Sequence, residues 1–250
     1  MAQDGDTITY TFSGSKETED ISNIDEIVID QMHGADGGFD DDANIDGGSG
    51  GLIENANIDV SSNNTLEIWV GEKGLLFDFG VEPSWGRSNG GKGDARISAG
   101  SNSGNGGGST EIWVDSESEF VAAVDAGGGA GGLFQPGGGG GARGGLGADG
   151  ELTVSGSFES GTDAEGSGFG GDGGRPGQNG SDGGQELGAA SGGTTTKGGS
   201  SDGNGEITLS FLSLAPPVEV NGTEITAIEV NGQEISLSEV KNIEINGQDI

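Results

Sequence analysis

Glycine supplies 57 of the 250 residues, about three times its ordinary share, while hydrophobic residues make up 30 % and aromatics 5 %. So thin a supply of core side chains disfavours an ordinary globular enzyme and shifts the burden of order onto backbone hydrogen bonds. A formal charge of −33, from 42 acids against 9 bases, repels nucleic acid and anionic membranes, and the absence of cysteine excludes a disulfide framework or a thiolate metal site.

The acids are interspersed with strand-like apolar runs instead of forming a tail. That is the pattern of a fold working in molar salt, where the Debye length shrinks to about 3 Å and self-repulsion is screened. A halophilic source is therefore expected; an acidic mesophilic surface protein is the alternative. The opening Met1-Ala2-Gln3-Asp4-Gly5-Asp6 has neither a basic nor an apolar stretch, and no apolar run approaches the ~18 residues of a membrane span. A chain without an export signal or membrane insertion is expected.

In chain order, Ile8 to Phe12, Ile24 to Ile29 and Ala56 to Val60 read as strands between Gly, Ser and Asn punctuation. Leu66-Glu67-Ile68-Trp69-Val70 and Thr110-Glu111-Ile112-Trp113-Val114 are near-copies, expected as equivalent strands of one sandwich with Trp69 and Trp113 anchoring the core. From Gly127 to Gly205 glycine takes 33 of 79 positions. A flexible linker is the usual reading of such a tract, but Leu133, Phe134, Leu146, Leu152, Val154, Phe158, Phe169 and Leu187 recur through it, and a spacer has no use for them. Runs such as Gly137 to Gly141 suit extended helices of three residues per turn, whose bare backbones approach closely enough to bond to one another. The strand Gly205 to Leu212 closes the tract, so residues 1–214 form one expected domain.

The order of elements resembles the glycine-rich domain of the anaplastic lymphoma kinase receptor ectodomain and of bacterial and phage surface proteins. The matching elements are Tyr10-Thr11-Phe12-Ser13-Gly14, His33-Gly34-Ala35-Asp36-Gly37-Gly38, Leu66 to Gly71, Trp85-Gly86-Arg87-Ser88-Asn89-Gly90-Gly91, Gly106 to Ile112, Ala126 to Gly132, and Gly203 to Leu209. The resemblance implies polyglycine-II-like helices on a β-frame, and binding or scaffolding instead of chemistry. Glycine density before residue 100 is lower than in that pattern, which leaves the number of packed helices open.

Residues 215–250 follow the stiff Ala215-Pro216-Pro217 break and carry three near-repeats around Asn221-Gly222, Asn231-Gly232 and Asn246-Gly247. Asn-Gly between alternating segments is the strongest short hairpin signal, because a type I′ turn needs φ > 0 at both central residues. Two-residue turns set Glu219 opposite Glu224, Glu229 opposite Glu234 and Glu244 opposite Asp249, arrangements that cost stability unless salt screens them. The other face collects Val218, Val220, Ile225, Ile228, Val230, Ile235, Ile243, Ile245 and Ile250. Such a one-sided apolar face needs cover, so it is read as an oligomerisation or docking face.

Candidate sites are few. His33, the sole histidine, is insufficient for a triad or a zinc site. Asp40-Asp41-Asp42 offers carboxylates for Ca²⁺, but such clusters arise by chance among 42 acids; no cofactor is expected and calcium is unsupported. Sequons at Asn63, Asn179 and Asn221 are weak evidence in a chain this rich in Asn, Ser and Thr. Trp85, Phe134 and Phe169 stand in glycine-rich surroundings, where an aromatic either stacks on a sugar or protein partner or plugs the slab edge.

The expectation is a mostly-β protein: a β-sandwich-like frame, a slab of packed polyglycine-II-like helices and a small C-terminal module of β-hairpins. In function it is read as a non-enzymatic virion protein of a tailed virus infecting a halophilic archaeon, a fibre, spike or capsid-surface component displaying loops for host attachment. Its expected partners are other virion proteins, a host cell-surface protein or glycan, and further copies of itself. A cellular adhesin or cell-wall protein is the alternative, and a polysaccharide hydrolase would need paired carboxylates in a cleft.

Overall fold

A computed structural model describes residues 2–39, 45–60, 65–76, 84–91, 93, 103–115, 119–130, 137–138, 140–141, 151–152, 158–159, 171, 173–174, 178–199, 203–213, 219–220, 223–224, 227–230, 233–236, 244–245 and 248–249. The chain divides into two compact units, Met1–Leu212 and Ser213–Ile250. The described residues are all-β, with no helix among them.

The first unit contains β1 (Thr7–Thr11), β2 (Glu17–Asp20), β3 (Glu26–His33), β4 (Leu52–Asp59), β5 (Thr65–Trp69), β6 (Thr110–Val114), β7 (Glu119–Val124), β8 (Glu151–Leu152), β9 (Phe158–Glu159), β10 (Gln185–Leu187), β11 (Ser191–Thr196) and β12 (Glu206–Leu212). Two five-stranded antiparallel sheets result, ordered β1-β12-β3-β4-β11 and β10-β7-β6-β5-β2, with β8 and β9 as a separate pair. One buried cluster draws on both sheets: Ile27, Ile29, Met32, Ile53, Ile58, Ile207, Leu209 and Phe211 from the first, Leu66, Ile68, Ile112 and Val114 from the second.

Local sequence explains the register. In β3 the inward residues Ile27 and Ile29 are two apart, but the next, Met32, is three further on. Strict alternation would turn Met32 outward. A bulge in the β3–β12 pairing absorbs the extra residue, since Thr208 faces Gln31 while Leu209 faces Ile29. Asp30, the residue passed over, accepts a hydrogen bond from the Ser210 hydroxyl at 2.6 Å.

Beyond the sheet ends, extended segments bond to one another around a central one, Ala126 to Ala130. Ala126 N and Gly129 N donate to Gly141 O and Gly138 O. Gly127 N and Ala130 N donate to Ala35 O and Gly38 O, and Gly128 N donates to Ser181 O. On the acceptor side, Ala126 O and Gly129 O receive Gly171 N and Gly174 N, Gly127 O and Ala130 O receive Gly107 N and Gly104 N, and Gly128 O receives Gly48 N. Residues three apart therefore address the same neighbour, and every N–H and C=O of the segment is satisfied.

The glycines here are required for what they lack. A Cβ at Gly127 would overlap the Gly48 carbonyl oxygen, one at Gly37 that of Gly128, and one at Gly129 that of Gly104. Among the described residues the glycines with left-handed φ are others: Gly5, Gly14, Gly192, Gly193 and Gly198. The neighbours also come from an unexpected part of the chain. Segments around 35–38, 47–51, 71–74, 86–91 and 104–108 contribute as much as those after Gly127. Close approach demands a glycine only where a Cβ would meet backbone, so a modest local density before residue 100 suffices.

In the second unit β13 (Glu219–Val220) pairs β14 (Thr223–Glu224), β15 (Ala227–Val230) pairs β16 (Gln233–Ser236), and β17 (Glu244–Ile245) pairs β18 (Gln248–Asp249). All are antiparallel, and Glu219 lies opposite Glu224, Glu229 opposite Glu234, and Glu244 opposite Asp249. This is the register a two-residue turn dictates.

Candidate functional site on the outer face of the second sheet

The two near-copies are direct neighbours: β5 runs antiparallel to β6, with Ile68 opposite Ile112, Trp69 opposite Glu111, and Glu67 opposite Trp113. Leu66, Ile68, Ile112 and Val114 fill the core, so the residues between them emerge on the other face. Trp69 and Trp113 are consequently half-exposed there, which corrects the expectation that they anchor the core. The signal was present in the sequence: a tryptophan two residues from a glutamate shares its face, and placing the indole in the core would have put the acid there too.

All three tryptophans of the chain meet on this face. The Trp85 backbone is held at both ends by Glu72, whose side chain accepts the Trp85 amide at 2.8 Å and whose amide donates to the Trp85 carbonyl at 2.6 Å. Its indole stacks on Trp69, with centroids 5.6 Å apart and planes 23° from parallel, and meets Phe12 at 5.9 Å. Two residues on, the Arg87 guanidinium lies 4.0 Å over the Trp113 ring, and Phe120 tilts against Trp113 at 5.2 Å. Lys16 stands 5.8 Å above Trp69.

Two buried carboxylates lie beneath these groups. Glu111, fully enclosed, accepts from the Ser109 hydroxyl at 2.8 Å, Trp113 Nε1 at 2.9 Å and Arg87 Nη1 at 3.4 Å. Glu67 accepts from Lys16 Nζ at 2.7 Å through Oε1. Its Oε2 and Trp69 Nε1 are buried with no partner among the described residues. The same Glu-Ile-Trp motif is thus internally satisfied on β6 and open on β5. Desolvating a carboxylate is tolerable only with a cation and donors in place, and two of the chain's nine bases are spent here. Glu111 is completely covered, whereas the indoles of Trp69, Trp85 and Trp113 stay half-exposed.

Of the residues singled out from sequence, Trp85 lies in this cluster, half-exposed, while Phe134 and Phe169 lie outside the described residues. So do Val218, Ile225, Ile243 and Ile250; Val220, Ile228, Val230, Ile235 and Ile245 lie on the hairpin strands. His33 is buried at the end of β3, its Nδ1 without a partner among the described residues. Asp40, Asp41, Asp42, Asn63 and Asn221 fall outside the described residues, and Asn179 is exposed. Among the described residues no group of three or more His, Asp or Glu is placed to hold a metal ion, and no helix is long and apolar enough to cross a membrane. No protein-family model matches the chain, and no curated protein matches it either.

Proposed function

We propose that the chain is a non-enzymatic surface-display protein. Its rigid element is a lattice of polyglycine-II-like segments mounted on a β-sandwich-like frame. The observation that carries this reading is the three-residue period of bonding around Ala126 to Ala130, which reaches separate neighbouring segments in turn and leaves no backbone group over. A polyglycine-II helix has three residues per turn and no internal hydrogen bonds, so its bonds must go outward in this way. A scaffold held by main-chain bonds needs little side-chain core and leaves its loops free to vary. Trp85, at the half-exposed aromatic face, is the described candidate for contact with a host cell-surface protein or glycan; Phe134 and Phe169 are further candidates.

The acidic composition favours a halophilic setting, and we place the protein on the virion of a tailed virus of a halophilic archaeon, with residues 215–250 as its oligomerisation or docking module. A cellular adhesin is the second reading. Quantitative mass spectrometry of purified particles and of envelope fractions from uninfected cells of the source culture separates them. Enrichment in particles supports the virion assignment, enrichment in uninfected envelopes supports the adhesin, and confinement to the cytosolic fraction overturns both.

A further inference from the structure

An Asn-Gly step is among the most labile places in a polypeptide, because nothing on glycine hinders attack of its amide nitrogen on the asparagine Cγ. The first unit has four such steps, Asn89-Gly90, Asn105-Gly106, Asn179-Gly180 and Asn204-Gly205, and the fold grips each by the same two points. The glycine N–H donates to a carbonyl of an adjoining stretch of chain, at Gly90 the turn just before it and at the others a distant segment, while the asparagine Oδ1 accepts an amide of that same stretch. Gly90 donates to Ser84 O at 3.2 Å as Asn89 accepts from Gly86 N at 3.1 Å. Gly106 donates to Gly91 O at 2.9 Å as Asn105 accepts from Gly93 N at 2.9 Å. Gly205 donates to Gly71 O at 2.9 Å as Asn204 accepts from Lys73 N at 2.7 Å. In these three the carbonyl and the amide belong to residues two apart. At the fourth both belong to Asp46, whose O receives Gly180 N at 3.1 Å and whose N reaches Asn179 Oδ1 at 3.3 Å.

We infer that these four steps are latent deamidation sites, silenced by the two-point clip, and that each reacts only when its adjoining segment separates. The clip opposes the reaction twice. It engages the N–H that must be lost before the nitrogen becomes a nucleophile, and it anchors the carboxamide so that Cγ cannot turn to meet that nitrogen. In the reaction itself the glycine nitrogen bonds to Cγ, the Cγ–Nδ2 bond breaks, and Nδ2 leaves as ammonia, taking up the glycine amide proton. Water then opens the succinimide at one carbonyl or the other, leaving aspartate or isoaspartate. Either product adds a negative charge, and isoaspartate lengthens the main chain by one methylene, which destroys the spacing that the clip requires. A transient opening is thereby converted into a permanent one.

Burial does not supply this protection everywhere: Asn105 is fully buried, but Asn179 and Asn204 are exposed. The two exposed sites therefore test the clip itself. The full chain is incubated in mildly alkaline buffer at about 3 M salt, with the same chain in denaturant as reference, and isoaspartate plus aspartate at each site is quantified by peptide mapping. Conversion of Asn179 and Asn204 at least about tenfold slower in the native chain is the expected result, the factor that corresponds to a local opening equilibrium of one part in ten or less. Protection below about tenfold at either site overturns the inference.

Discussion

At Gly129 the missing side chain is the structural element. Its amide donates to Gly138 O, its carbonyl receives Gly174 N, and a Cβ built there would overlap the Gly104 carbonyl oxygen. Because the obstacle is backbone held from several sides, it cannot swing away as a side-chain tip would. Gly129→Ala is expected to destabilise the first unit by about 1–3 kcal/mol, the usual range for overpacking, as a lower denaturant midpoint in high salt. Gly203 is the counter-case: nothing lies within 4 Å of its would-be Cβ, so Gly203→Ala should stay within about 0.5 kcal/mol of the parent. Composition cannot tell these two glycines apart, since the difference lies in what the rest of the chain brings near them.

At the scale of elements, β1 and β2 belong to different sheets, yet they share an electrostatic contact. Tyr10 on β1 is buried in the core cluster, and its phenol is pushed above the ordinary tyrosine range by burial first, then by the charges of Glu19 and Glu17 on β2. A raised folded-state value means that the neutral phenol is the form the fold prefers. Stability from this site is fully present below the unfolded value of about 10, and it falls above that pH because the unfolded chain ionises first. Tyr10→Phe should remove this alkaline limb from a plot of denaturant midpoint against pH. In the parent, the phenolate absorbance of the sole tyrosine should appear only at higher pH than in the denatured chain.

The alternation rule located β1, β5, β6 and β12, and β3 as far as Ile29, because each of these stretches carries apolar residues at every second place. It missed β2, whose sequence is Glu17-Thr18-Glu19-Asp20, and β11, whose sequence is Ser191-Gly192-Gly193-Thr194-Thr195-Thr196 and whose residues are all exposed. Both are edge strands. They are recruited by backbone pairing to a neighbour, and no apolar pattern was needed to hold them. The aromatic face was half legible: Trp85 stood out in its glycine surroundings, with Arg87 two residues on, but Phe12 and Lys16 reach the face from the β1–β2 connection and Phe120 from β7.

For the molecule as a whole, a charge of −33 opposes compaction, and the opposed acids at Glu219 and Glu224, Glu229 and Glu234, and Glu244 and Asp249 add to it in the second unit. Dilution from about 3 M to about 0.1 M salt lengthens the Debye length from a contact distance to about 10 Å. Circular dichroism and sedimentation across that range should show loss of β signal and of the compact particle on dilution; an unchanged signal and sedimentation coefficient would refute the halophilic reading. The sequence by itself determined a mostly-β chain, the register of the three hairpins and the poverty of side-chain core, because period-two alternation, Asn-Gly turns and composition are local properties. Only the tertiary structure decided which glycines are indispensable, which face the tryptophans take and which Asn-Gly steps are clipped. Each of those depends on a carbonyl, an amide or a ring delivered from a distant segment, and no local pattern records such a meeting.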